Sequence, residues 1–292
     1  MNEATTVETP SGKTASDENF PVVTRFLPAR LRSHIATFYA YARTIDDIAD
    51  NPELDPDEKI QRLDGFAKAV SGVGSMNPAF RKAYELSRSL AATRVTDQHC
   101  VDLVEAFKQD ATKLRYDNWD DLIGYCNLSA APVGRYLVDL HGESADLYAD
   151  SDALCNALQV LNHVQDCQDD YTALNRVYLP GNWMTEAGVD AKALGDSRST
   201  KALRRVFDLC LDATDGLLDV AARLPAKLRD RRFAMDAAVI VSIAQKLSTE
   251  LRRRDPLAER VVLTKMQYAA CCGYGIGRVM FRSIFPPRRP SA

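Results

Sequence analysis

The chain has 292 residues and a net charge of −3, so no basic excess marks it as a nucleic-acid binder. Hydrophobic residues make up 46% and charged residues 26%, the proportions of a globular protein with a sizeable core. Seven cysteines (100, 126, 155, 167, 210, 271, 272) form no C-x-x-C pair, which predicts reduced core thiols of a cytoplasmic protein rather than a disulfide frame or zinc site.

Residues 1–16, MNEATTVETPSGKTAS, lack the basic patch and apolar run of a signal peptide and are expected to be a disordered leader. Helical periodicity then dominates. Pro28 to Asp50 places Leu31, Ile35, Phe38, Tyr39, Ala42, Ile45 and Ile48 at helical spacing. Asp55-Pro56 predicts a capped start for a helix reaching about Val70. Further helices are expected over 77–93, 96–116, 118–140 and 149–171, with Thr96 and Ser151 as start signals. Pro132 falls inside one of them and must kink or interrupt it. Asn175 to Asp196, holding Pro180, Gly181, Gly188 and Gly195, reads as a loop before helices over 199–223, 226–253 and 263–283. The charge-free run Met266 to Gly277 is too short to span a bilayer. Gly273-x-Gly275-x-Gly277 lacks the preceding strand of a dinucleotide site and predicts close helix packing. The fold class is all-α: one helical domain over 17–285, followed by a frayed basic tail, 286–292.

Two acidic constellations stand out. Asp46-Asp47-x-x-Asp50 ends the first long helix, with Asp46 and Asp50 on one face. Acids there oppose the helix dipole and one another, penalties that a cation would remove. Alone, such a motif reads first as a solvated helix end. The second lies in DALCNALQVLNHVQDCQDDY, where Asn162, Asp166 and Asp170 follow Gln159 as a polar stripe on a helix otherwise apolar. Buried carboxylates need compensation, and oxygen-only ligands suit Mg²⁺ bridging to phosphate. His163 beside the stripe reads as an ordinary satisfied histidine. The pair of faces predicts a site for Mg²⁺ and a diphosphate.

The stretches FYAYARTIDDIAD (38–50), KLRY (113–116), YCNLSAAPVG (125–134) and QVLNHVQDCQDDYTALNRVYLP (159–180) resemble the squalene/phytoene synthase family. The resemblance covers about Glu18 to Met280. It implies the bundle of the class I isoprenoid synthases around a central apolar cavity, with both acidic motifs at its mouth. By the same resemblance, Asp46, Asp47, Asp50, Asn162, Asp166 and Asp170 match metal ligands, and Gln159 the residue one turn before the second motif. Tyr39, Arg43, Arg176 and Tyr178 match positions that contact or support the diphosphate. Tyr125 matches a tyrosine near the reacting carbons, and Phe20 an aromatic of the N-terminal substrate-binding segment.

Glu18-Asn19-Phe20-Pro21 replaces a Ser-rich, Lys-containing stretch of phytoene-type enzymes, and Gln165 replaces an arginine usual before the second motif's middle acid. The E-N-F-P opening and the S-A-x-P-V-G form resemble the bacterial branch that makes hydroxysqualene for hopanoids. That branch implies presqualene diphosphate as substrate, water as terminal nucleophile and no NADPH. It also implies companion enzymes of squalene and hopanoid synthesis. A greasy substrate and product suggest transient contact with the inner membrane surface, which the basic, aromatic C-terminal segment could provide. A condensing enzyme joining two prenyl diphosphates, a class I terpene cyclase and a non-catalytic helical scaffold are the alternatives.

Overall fold

In the computed structural model, Val7, Glu8 and residues 28–284 are described, with side chains as far as Phe281. Phe20 and the E-N-F-P segment therefore lie outside the described residues.

Helix α1 (Ala29–Asp50) turns one apolar stripe inward, against α2 (Pro56–Val70), α3 (Arg81–Thr93) and α4 (Gln98–Thr112). Tyr41, Ile45, Ile48, Leu63, Phe66 and Leu86 are fully buried in the core these helices share. Each contributes about 1.5–3 kcal/mol by leaving water. Asp55 starts α2 as its sequence predicts, accepting the Glu58 N–H at 2.9 Å with Pro56 in the first turn. Within the expected leader, the Val7 carbonyl accepts from Arg62 at 3.0 Å and Glu8 pairs with Lys82 at 2.8 Å.

The second half comprises α5 (Trp119–Ser129), α6 (Ala131–Leu140), α7 (Tyr148–Gln165), α8 (Cys167–Leu174), α9 (Gly181–Glu186), α10 (Lys201–Ala221), α11 (Leu224–Lys227), α12 (Arg231–Arg253) and α13 (Lys265–Ile284). Helix α7 runs through its middle, packed on α5, α6, α10 and α12. This burial agrees with the apolar sides of its sequence. Asp230 caps α12 through the N–H groups of Arg232 (2.8 Å) and Phe233 (3.2 Å). At Gly275 a Cβ would lie 2.7 Å from the Val239 backbone nitrogen, so this glycine does let α13 approach α12 closely. Gly273 and Gly277 face open space. Among the described residues no helix is long and apolar enough to cross a membrane.

Several expected elements differ in detail. Ser151 is not a helix start: α7 begins at Tyr148 and buries Ser151 within it. The Thr96 hydroxyl does accept the Gln98 N–H at 3.2 Å, but α4 stops at Thr112. The helix expected over 118–140 is two, broken at Ala130 (φ −122°, ψ −47°), and Pro132 occupies the first turn of α6, where its missing N–H costs nothing. The expected loop Asn175–Asp196 is largely structured. It holds β2 (Val177–Pro180), α9 and a 3₁₀ turn, Ala191–Gly195, and β2 pairs in parallel with β1 (Arg115–Tyr116). β1 is too short to show a period of two, and β2 is buried at every position, so neither alternates in the sequence.

Candidate active site

The site begins with the end of α1. Arg43 reaches along its own helix to Asp46 at 2.9 Å and Asp47 at 2.6 Å. Asp47 is buried, so its carboxylate anchors Arg43 from within. Two cations from outside the helix meet the last turn. Lys59 of α2 donates to the Ala49 carbonyl at 2.8 Å. Arg176 donates to the same carbonyl at 2.9 Å and to the Asp50 carboxylate at 2.5 Å. Thus the dipole and like-charge penalties legible in the sequence are offset by groups remote in the chain.

Arg176 is delivered by local geometry. Asn175 adopts the left-handed conformation (φ 52°) at the C-terminus of α8, and the Arg176 N–H returns to the Asp170 carbonyl at 3.0 Å. Its Nε also donates to the Asp110 carbonyl at 3.1 Å. Arg176 is buried, so it braces the site from behind.

Asp110 of α4 is the residue that sequence reasoning missed. Its buried carboxylate accepts from the phenols of Tyr125 (2.6 Å) and Tyr178 (2.7 Å). Burial raises its pKa, against the pull of Arg176 and the two phenols. The signal was available: Leu103, Ala106 and Asp110 are buried on one face of α4, an acid at an apolar position. Burial likewise pushes both tyrosines well above the usual phenol range, aided by the Asp110 charge. Tyr125 is only 3% exposed and does not line the cavity described below. Tyr178 stacks on His163 with centroids 3.8 Å apart, and His163 lies 3.9 Å from the Asp170 carboxylate and 3.3 Å from the Gln159 amide. A buried network therefore runs from Asp50 through Arg176, Asp110, Tyr178 and His163 to Asp170, joining the first acidic motif to the second.

The second motif does not lie on one unbroken helix. Asp166 sits at the break between α7 and α8 (φ −103°, ψ 10°). Helical hydrogen bonds nevertheless cross the break, from Asp166 N–H to the Asn162 carbonyl (2.8 Å) and from Asp170 N–H to the Asp166 carbonyl (2.9 Å). The three residues thus remain stacked. Gln165, buried, donates to the Val261 carbonyl at 2.5 Å and ties the break to the segment after α12.

A cavity of about 340 Å³ reaches the first acidic motif at Asp46, while its α7 wall ends at Leu158, one turn before the second motif, whose residues do not line it. On α1 its wall runs Ile35, Phe38, Tyr39, Ala42, Arg43 and Asp46; on α7 it runs Ser151, Leu154, Cys155 and Leu158. Followed towards its C-terminus, each helix passes from apolar wall to acidic motif. Asp46 keeps 30% of its side-chain surface accessible, but it lines this cavity rather than the outer surface. Its carboxyl is pushed well above the usual range by burial first and by Asp50 second. Asp166 is raised for the same two reasons, burial and Asp170, with Arg260 opposing. In both motifs like charges are held together at a cost that a divalent cation would relieve, and the donors are carboxylate and amide oxygens. The residues therefore fit Mg²⁺. Among the described residues no three acid, histidine or cysteine side chains converge into a metal cage. Mg²⁺ needs none, since one or two carboxylates with waters and phosphate oxygens complete its shell.

With this geometry in place, the comparisons with known proteins fall into line. The profile described as squalene/phytoene synthase matches residues 13–267. Hydroxysqualene synthase of Rhodopseudomonas palustris is 43% identical over 258 residues, 88% of this chain and 87% of the relative. That of Sinorhizobium fredii is 39% identical over 251 residues, covering 86% and 85%. The crystal structure of squalene synthase HpnC from Alicyclobacillus acidocaldarius superposes with a TM-score of 0.70 at 32% identity, covering 82% of this chain and 90% of that one. Matched over most of its length by this profile and by relatives at 39–43% identity, the chain is an enzyme of the squalene/phytoene synthase family, which acts on prenyl diphosphates.

Proposed function

We propose that the chain converts presqualene diphosphate to hydroxysqualene, with Mg²⁺ and without NADPH, as a step towards squalene and hopanoids. The observation that carries this reading is the passage of α1 and α7 from apolar cavity wall into acidic motifs, joined by the Asp110–Arg176 network. The hydroxysqualene synthases at 39–43% identity favour this branch over a condensing one.

Asp46, Asp50, Asn162, Asp166 and Asp170 would hold Mg²⁺, with Asp47 behind them as the anchor of Arg43. When bound, the metal neutralises charge on the departing diphosphate. Arg43, at the cavity wall, turns towards the same oxygens from its intrahelical pairs. Tyr39, one turn before Arg43, lines the cavity beside it. Phe38, Leu154, Leu158 and Ile240 surround the hydrocarbon and exclude water, so that the carbocation persists long enough to rearrange. Gln159, through His163, and Tyr125 and Tyr178, through Asp110, hold the acidic helix ends in register. Phe20 belongs to the N-terminal segment assigned to substrate binding by the resemblance. A greasy substrate and product favour transient contact with the inner face of the membrane. The exposed Met266 (83%) and Tyr274 (63%) of α13, with Lys265 and Arg278, offer an apolar and cationic surface for it.

Incubation with presqualene diphosphate and Mg²⁺, without NADPH and in ¹⁸O-labelled water, tests the proposal. Diphosphate and singly labelled hydroxysqualene are expected, and added NADPH should not divert the product to squalene. Inertness towards presqualene diphosphate together with condensation of farnesyl diphosphate would replace this reading with that of a condensing enzyme.

A further inference from the structure

An alcohol as product requires one water at a defined place in a cavity that otherwise excludes it, and the cavity wall offers few groups to hold one. Its polar lining side chains are Tyr39, Arg43, Asp46, Ser129, Tyr136, Ser151, Cys155 and Asp236, and the Tyr136 hydroxyl donates to the His34 carbonyl at 3.1 Å. Arg43 and Asp46 pair with each other at the diphosphate end. Ser151 is hydrogen-bonded to the Cys155 thiol. Tyr39 and Asp236 are engaged by other groups of the protein. Ser129 differs: its one polar side-chain atom, Oγ, is buried and has no hydrogen-bond partner, whereas Arg43 and Asp236, each with one such atom, are engaged through others.

That state is unusual for a helical serine in this molecule. The hydroxyls of Thr44, Thr214 and Ser242 each donate to the carbonyl four residues back, at 2.7–2.8 Å. Ser129 closes α5 immediately before the Ala130 break, and its Oγ does not make that bond. A buried hydroxyl without a partner costs about 1–3 kcal/mol. Such a cost persists where a ligand, here a water molecule, supplies the missing bond. Asn127, the other polar residue near Tyr125 on α5, is already committed: its carbonyl oxygen accepts from Asn156 at 2.8 Å.

We infer that the Ser129 hydroxyl holds the water that captures the carbocation. This rests on the function proposed above and adds the group that selects alcohol over hydrocarbon. The water accepts the Ser129 O–H and points a lone pair at the cationic carbon. A C–O bond forms from that lone pair, and one proton leaves the resulting oxonium. The proton passes to the diphosphate that ionisation released, a base generated in the same reaction, so charge and atoms balance and no oxidant or reductant enters. Without a held water, the cation loses a carbon-bound proton to the same diphosphate and yields a polyene.

The test is the ratio of hydroxysqualene to hydrocarbon formed from presqualene diphosphate and Mg²⁺ by the wild type, Ser129→Ala, Ser129→Val and Ser129→Thr. Val and Thr have nearly the same shape and differ by the hydroxyl. Ser129→Ala and Ser129→Val should lower the ratio at least roughly tenfold, a change of about 1.4 kcal/mol in relative barriers. Ser129→Thr should restore most of it. Circular dichroism melts confirm that each variant is folded, and the Thr/Val pair decides the matter if Ser129→Ala is not. An alcohol fraction equal in Thr and Val variants, or undiminished in Ala, overturns the assignment to Ser129 while the proposed reaction stands. A wild type that makes no alcohol overturns the proposed reaction itself, and the water site with it.

Discussion

Asp110, buried, and Asp46, half-buried at the cavity, both have raised pKa values, yet their surroundings assign them different work. Asp110 faces a cation and two phenols, all from the protein, and has no vacant direction to offer a substrate. Its replacement by Asn keeps the shape but aims an amide N–H₂ at one phenol. The expected loss is about 1–3 kcal/mol of stability, read from urea midpoints, with turnover down roughly tenfold as the two motifs lose register. Asp46 opposes Asp50 across one helical turn and lines the cavity. Asp46→Asn, or Asp166→Asn in the second motif, should lower diphosphate release at least about a hundredfold, near 2.7 kcal/mol in transition-state stabilisation. The melting temperature should not fall, since each change removes one of two repelling charges. Near-normal turnover in either variant would sink the assignment of that motif to the metal.

Between elements, α13 packs most extensively on α12, and a ring stack links the end of α6 to the start of α12. A methyl at Gly275 would meet the backbone of Ala238 and Val239, which cannot rotate away as a side chain can. Gly275→Ala is therefore expected to lose about 1–3 kcal/mol by overpacking, whereas Gly273→Ala, in open space, should not destabilise α13. Equal melting temperatures for the two variants would contradict the packing role. At the end of α6, His141 stacks on Phe233 of α12 at 4.3 Å and bonds the Leu137 carbonyl at 2.8 Å. Burial lowers its pKa below the ordinary 6.5. The unfolded chain thus binds the proton more readily, so the His141 contribution is complete above about pH 6.5 and is lost as pH falls through the lower folded value. The raised carboxyls work in the opposite sense, because the folded state protonates them first. Comparing wild type with His141→Gln between pH 7.5 and 5 isolates the histidine: the stability difference should shrink as the solution is acidified. A difference independent of pH would show that the ring contributes by packing alone.

Over the whole molecule, the helices and their cores are built from residues already buried without a ligand, while the acidic ends repel one another. Chelation of Mg²⁺ should stop diphosphate release and leave helical content unchanged by circular dichroism. Mg²⁺ together with inorganic diphosphate should raise the melting temperature, as binding to the folded state alone contributes about 2.7 kcal/mol at a hundred times Kd. A loss of helical signal on chelation would mean that the metal is structural.

The sequence by itself determined the helical class, the cap of α2 and the interruption near Pro132, and it raised the expectation that both acidic motifs serve one site. Each of these depends on spacing within a turn or two, where the 3.6-residue period makes neighbours predictable. It could not show that the stripe Asn162–Asp166–Asp170 crosses a helix break, because the hydrogen bonds that keep it stacked belong to both α7 and α8. Nor could it show β1 and β2, whose pairing joins Arg115 to Val177, far apart in the chain. Asp110 and Ser129 were undecided for the same reason. An acid on an apolar face and a serine at a helix end have many local explanations. Only the packing of α4 against α5 and β2, and of α5 against the cavity, decides that one receives two phenols and that the other keeps a buried hydroxyl without a partner.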